Sequence, residues 1–222
     1  MSNHQNGNTG VLRARSRIGK YRIERKVGSG GFGNVYEAMD TIEGVRVALK
    51  VPHQHLVDEE MLDQFRHEVR LVAKLDHPHV LPLRNADIID GRFVFATLLG
   101  RETLDDRLGR RIATEKALSF ARQMIAAVAY AHQAGIVHCD IKPDNFILFD
   151  GDVLRLSDFG IAKVSRMTLA GAGTGTVGHM APEQAMGKPS FRSDVFSTGL
   201  IVYRMFAGVW PEYPFNWPPP AA

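Results

Sequence analysis

The chain has a single cysteine, Cys139, in 222 residues, so an internal disulfide and a multi-cysteine zinc site are both excluded, and a reducing compartment is permitted. It lacks any uninterrupted apolar run approaching the roughly 18 residues that cross a bilayer. Its start, Met1-Ser2-Asn3-His4-Gln5-Asn6-Gly7-Asn8, has no apolar signal core. A cytoplasmic location with no membrane segment is the expectation. A strong charge of one sign is also missing: 27 Lys and Arg are interspersed with 24 Asp and Glu, for a net charge of +3. That balance gives little support to nucleic-acid binding. The one basic cluster, Arg13 to Lys26, is interrupted by Glu24 and reads as a solvated face in preference to a phosphate or membrane patch. What is present is ordinary globular usage, 45% hydrophobic and 23% charged, in a chain long enough for one large domain or two lobes.

Residues 1–17 are rich in Asn, Gly, Ser and Arg without hydrophobic period, which predicts a disordered leader. Residues 18–99 are mostly strand-like. Tyr21 to Val27 alternates, and Val45 to Val51 repeats the alternation after Gly44. One helix interrupts them, with Met61, Leu62, Phe65, Val69, Val72 and Leu75 at three- and four-residue spacing before His77-Pro78 ends the run. Residues 100–222 are mainly helical. Thr114 is the expected N-cap of a long helix closed by Gly135. The runs Phe146–Phe149 and Val153–Leu156 then form a hairpin across Asp150-Gly151-Asp152, and a further helix runs from about Asp194 to Phe206. The expected class is α+β, a small antiparallel β lobe with one helix followed by a helical lobe.

Three elements carry chemistry. The first is Gly28-Ser29-Gly30-Gly31-Phe32-Gly33-Asn34-Val35, where glycines between two strands let backbone approach phosphate oxygens. Alone it reads equally as a flexible turn. No helix opens after it, which argues against a dinucleotide fold, and the Walker lysine is missing. The second is Val47-Ala48-Leu49-Lys50, which places an ammonium on the next strand. Glu68 on the intervening helix could brace Lys50, or the two could be unrelated surface charges. The third decides the matter: Val137-His138-Cys139-Asp140-Ile141-Lys142-Pro143-Asp144-Asn145, then Ser157-Asp158-Phe159-Gly160. Phosphoryl transfer needs a carboxylate near the attacking hydroxyl, metal ligands, and cations against the charge on the phosphate oxygens. Asp140, Asn145, Asp158 and Lys142 are such a set.

In this order the motifs resemble those of the eukaryotic-type protein serine/threonine kinases, bacterial members included, over about residues 20–208. The resemblance implies a two-lobed kinase fold and transfer of the γ-phosphoryl of ATP to protein Ser or Thr hydroxyls, with Mg2+ as the metal and Mn2+ as a substitute. It implies that Gly28 to Val35 cover the nucleotide, Lys50 orients its phosphates and Glu68 holds Lys50. Ala48, Thr97 and Leu99 would line the nucleotide, with Phe95 to Leu99 as hinge and Ala96 guarding the back pocket. Asp140 would be the base, Lys142 would steady the γ-phosphate, and Asn145 and Asp158 would hold the metal. Gly175-Thr176 ahead of Met180-Ala181-Pro182-Glu183 is similar to the substrate-facing segment, where Thr176 would meet the catalytic aspartate. Asp194 matches the buried helix aspartate under the catalytic loop.

The chain departs from the family in three places. Cys139 stands where most members carry an arginine that pairs with a phosphorylated loop, so activity should depend less on phosphorylation of Ser165, Thr168 or Thr174. The thiol itself reads as a small core residue in preference to a redox sensor. His179 replaces the usual tyrosine. The sequence also ends soon after the Asp194 helix, where the family continues with further helices and an arginine for the glutamate at Glu183. Truncation is the preferred account, with a short form covered by a partner, or a weak or inactive nucleotide-binding scaffold, as alternatives. Glu183 is then expected without its cation, and Phe196, Val202, Phe206 and Trp210 are expected to be exposed. A small-molecule phosphotransferase is disfavoured by the peptide-groove segment.

Overall fold

The computed structural model describes residues 11–30, 33–53, 66, 69–159 and 179–212. The chain divides into two compact units, residues 1–62 with 83–99, and residues 63–82 with 100–222.

The first unit is a six-stranded antiparallel sheet of β1 (Arg17–Ile18), β2 (Tyr21–Ser29), β3 (Gly33–Asp40), β4 (Val45–Pro52), β5 (Leu83–Ile89) and β6 (Arg92–Leu98), in the order β1-β2-β3-β4-β6-β5. Alternation along the strands sends Tyr21, Ile23, Tyr36, Ala38, Val47, Leu49, Val51, Val94 and Ala96 into one core. The β3–β4 turn is fixed by Asp40, whose carboxylate accepts from Ile42 N at 3.0 Å and Glu43 N at 3.1 Å and meets Lys20 Nζ at 2.7 Å. Ordered chain begins before the residue 18 boundary of the expected leader. Leu12 N donates to Tyr36 Oη at 3.0 Å, Arg15 N to Ile23 O at 2.8 Å, and Leu12 packs on the core. Apolar Leu12 and Ile18, two anchors too sparse to make a period, tie this segment down.

The second unit is built on α2 (Thr114–Gln133), whose Ala117, Phe120, Met124, Ala127, Val128 and Ala131 are buried. Around it lie α1 (Leu104–Leu108), a three-stranded sheet of β7 (Glu102–Thr103), β8 (Phe146–Phe149) and β9 (Val153–Leu156), α3 (Pro182–Ala185) and α4 (Phe191–Ala207). Thr114 is the first residue of α2, not its cap, because Ala113 takes the extended cap conformation and its carbonyl accepts from Ala117 N at 2.9 Å. Gly135, at φ 76°, closes the helix in the left-handed region that favours glycine. The expected β8–β9 hairpin forms, turning through Gly151 at φ 72°. Residues 69–72 are helical as the periodicity predicted. They and the segment after them belong to this second unit, since Leu75 and Val80 join the α2 core and Leu81 N donates to Leu156 O at 2.8 Å.

Candidate active site

The catalytic loop of the sequence reading is organised around Asp194 in the first turn of α4. Asp194 is 1% exposed, and a carboxylate so placed must be fully hydrogen-bonded. Its Oδ1 accepts from Cys139 N at 2.9 Å, and its Oδ2 accepts from His138 N at 2.8 Å and from His132 Nε2 at 2.9 Å. His138 in turn donates from Nε2 to Ser157 O at 2.8 Å and accepts at Nδ1 from Asp140 N at 3.2 Å. That network assigns the imidazole a single tautomer. Cys139 is held at φ 64°, a left-handed conformation that costs a non-glycine residue about 1–2 kcal/mol and persists only under such restraint.

Asp140 leaves this frame half-buried. Its Oδ2 lies 3.1 Å from Lys142 Nζ and accepts from Asn145 Nδ2 at 3.0 Å, while Asn145 Nδ2 also donates to Asp140 O at 2.7 Å. Burial opposes ionisation of Asp140, but Lys142 and the Asn145 amide outweigh it and keep the carboxyl below its ordinary range. The group is a carboxylate at neutral pH, able to accept a proton or orient a hydroxyl. Asn145 begins the link to the second candidate metal ligand, since its carbonyl accepts from Ser157 N at 2.7 Å and Ser157 Oγ at 2.9 Å. Asp158 follows Ser157 at φ 62°. An amide oxygen and a carboxylate form a hard-oxygen donor pair suited to Mg2+, which keeps few protein ligands and completes its shell with water and phosphate oxygens. With both amide hydrogens of Asn145 directed at Asp140, its Oδ1 faces the other way, so these residues fit such an ion.

In the first unit, Gly28 pairs with Val35 and Ser29 with Asn34, Ser29 Oγ donates to Asn34 Oδ1 at 2.9 Å, and Gly30 N donates to Gly33 O at 2.9 Å. Gly33 has a packing reason to be glycine: a Cβ there would stand 2.7 Å from Pro52 Cα. Lys50 lies in one cross-strand row with Val35 and Phe95, and Ala48 in the next with Thr97. These residues occupy the sheet face opposite the core. Ala96 does not: it pairs with Leu49 and is buried in the core, so the alternation gives the face beside Ala48 to Thr97 and overturns the back-pocket assignment of Ala96. Leu99 is half-buried just past β6. Gly31, Phe32, Glu68, Gly160, Ser165, Thr168, Thr174, Gly175 and Thr176 lie outside the described residues.

Glu183 is not without a partner. It is half-buried, and the hydroxyl of Ser193 donates to its Oε1 at 2.7 Å, which with Arg192 holds its carboxyl below the ordinary range. The apolar exposure expected on and after α4 holds for Phe206 but not for Val202 or Trp210. Val195 is 60% and Phe206 43% exposed, whereas Val202 and Trp210 pack against the α2 core. Sequence reasoning missed His132, Ser193 and Gln184, whose Nε2 donates to Cys139 O at 2.7 Å. Their partners lie 10 to 62 positions away along the chain, and only the serine, three residues after Ser190, carried a local signal.

The family model for the protein kinase domain matches residues 21–216. The serine/threonine-protein kinase PknA of Mycobacterium tuberculosis is 36% identical over 206 residues, covering 87% of this chain and 48% of the relative. PknE of Mycobacterium bovis is 34% identical over 208 residues, covering 90% of this chain and 37% of the relative. The chain thus spans less than half the length of these curated relatives. A crystal structure of the Mycobacterium tuberculosis PknI kinase domain matches with a TM-score of 0.71 at 25% identity, covering 94% of this chain and 82% of that one. With the domain model matching residues 21–216, nearly all of those described, the chain belongs to the protein kinase domain family.

Proposed function

We propose that this chain transfers the γ-phosphoryl group of ATP to serine or threonine hydroxyls of a protein, with Mg2+ as the working metal. The observation that carries this reading is the environment of Asp140, a carboxylate kept ionised by Lys142 and Asn145 on a loop whose backbone is pinned to buried Asp194. Bound Mg2+ would neutralise charge on the phosphate oxygens. Asn145 and Asp158 would hold it. Asp140 orients the acceptor hydroxyl and takes its proton as the oxygen attacks the γ-phosphorus, the bond from that phosphorus to the β–γ bridging oxygen breaks and ADP leaves with the electron pair, while Lys142 offsets the charge of the transferred group. Lys50 and the backbone of the β2–β3 hairpin at Gly28, Gly30 and Gly33 bind the phosphates, with Ala48, Thr97 and Leu99 toward the base. The names of the PknA and PknE relatives support serine/threonine as acceptor, as does Lys142-Pro143-Asp144-Asn145.

The test is transfer of labelled γ-phosphate to the chain itself and to a generic basic protein, beside Asp140→Asn and Asp158→Ala. Transfer by the parent onto Ser or Thr, with a loss of at least about a hundredfold in each variant, is expected. Equal rates in parent and Asp140→Asn would refute the assignment. Replacing Mg2+ by Mn2+ in the same assay decides the metal: a faster rate with Mn2+ reverses the order proposed.

A further inference from the structure

We propose that Gln184 is a positioning residue for this reaction: its side-chain amide ties α3 to the catalytic loop and fixes the Cys139–Asp140 peptide without help from a phosphate group. The proposal rests on the kinase reading above. The peptide joining Cys139 to Asp140 is gripped on both edges, its oxygen by Gln184 Nε2 at 2.7 Å and its N–H by His138 Nδ1 at 3.2 Å. The preceding peptide is gripped by Asp194 through Cys139 N at 2.9 Å. Cys139, at φ 64°, stands between two peptide planes that cannot rotate independently. The Cα of Asp140 is the next atom of the chain, so the direction of its carboxylate follows that of the peptide Gln184 holds.

The other end of the tie is anchored as firmly. Gln184 N and Ala185 N both donate to Ala181 O at 3.0 Å, Ala181 is 0% exposed, and the neighbouring Glu183 accepts from Ser193 Oγ at 2.7 Å. In most of the kinases this chain resembles, the residue at the Cys139 position is an arginine that couples the loop to a phosphorylated segment. Here that side chain is a thiol, 4% exposed, and the coupling runs through the main chain of the same residue to a neutral amide. A neutral donor needs neither phosphate nor a particular pH. The catalytic loop is therefore set as soon as α3 is folded.

The experiment uses the 222-residue chain with Gln184→Leu, which cannot donate, and Gln184→Glu, which donates only when protonated; Gln133→Leu on the exposed end of α2 is the control. Because Cys139 is the sole cysteine, the rate at which a thiol reagent labels the native protein reports on this loop alone. For Gln184→Leu the expected results are a fall in kcat of about five- to tenfold, the effect of one lost buried hydrogen bond, an unchanged KM for ATP, and labelling faster by a similar factor. Gln184→Glu should be slow at pH 8, where its carboxylate cannot donate, and its rate relative to the parent at the same pH should rise as pH is lowered toward the range where a glutamate protonates, a profile a purely structural role would not produce. Phosphatase treatment of the parent should leave its kcat unchanged. Parental kcat in Gln184→Leu, or a phosphatase-sensitive parent, overturns the proposal. If the parent transfers no phosphate, the kinase reading fails by itself and labelling decides the tie: faster in Gln184→Leu upholds it, unchanged refutes it.

Discussion

His179 shows how one side chain can work against the unit it helps build. Its ring packs on Trp210 with centroids 4.2 Å apart, its carbonyl accepts from Ser197 Oγ at 2.6 Å, yet its Nδ1 is buried with no hydrogen-bond partner among the described residues. An unmet buried acceptor costs about 1–3 kcal/mol. His179→Phe keeps the ring contact and the backbone bond and removes the orphan nitrogen, so the thermal midpoint should rise by about 2–4 °C for each kcal/mol recovered; a fall would show that the nitrogen is satisfied. At this scale the sequence was most informative where chemistry is local. Asp140, Lys142 and Asn145 sit within six positions, and their mutual geometry follows from a short loop. Gln184 and His132 were illegible because a glutamine or a histidine on a helix has no pattern until its distant partner is known.

Elements carry the site by their ends. The N-terminal turn of α4 holds both Asp194 and Ser193, and Ser193 Oγ accepts from Ser190 N at 3.1 Å while donating to Glu183. Ser193→Ala should therefore fray this turn and strand a half-buried carboxylate, costing about 1–3 kcal/mol, and should slow phosphoryl transfer at temperatures where the variant is fully folded. Thr103→Ala, which breaks the capping box of α1, should cost about 1 kcal/mol and leave kcat within about twofold. Equal kcat for the two variants, measured beside urea denaturation, would show that the α4 turn does not steer the loop. The strands and long helices were readable from period alone. The N-cap of α2 was not, since Ala113 wins over Thr114 by backbone conformation, and the one-residue alternation that separates Ala96 from Thr97 needs the register with β4.

Across the molecule, acid should act in two steps. Burial depresses the pKa of His179, and burial with His79 nearby depresses that of His77, both from 6.5. Between 6.5 and the lower folded values the unfolded chain binds protons that the native chain refuses, so stability is lost as pH falls. Asp105, raised by burial and by Asp144, pulls the other way and regains a little stability as it protonates. The larger loss follows below about pH 4, where Asp40 and Asp140 must give up carboxylates that their partners hold below 3.8. Thermal midpoints from pH 8 to 3 should show both steps, and His179→Phe should shrink the first; a flat profile between pH 7 and 5 would refute it. The distance along the chain between Cys139 and Asp194, 55 positions, sets a clock as well as a geometry. At roughly 5–20 residues per second of synthesis, the catalytic loop leaves the ribosome about 3–11 s before the aspartate that organises it. On the proposed kinase function, the nascent chain is silent until α4 emerges, and transfer begins only when the polypeptide can close Asp194 onto the Cys139 loop.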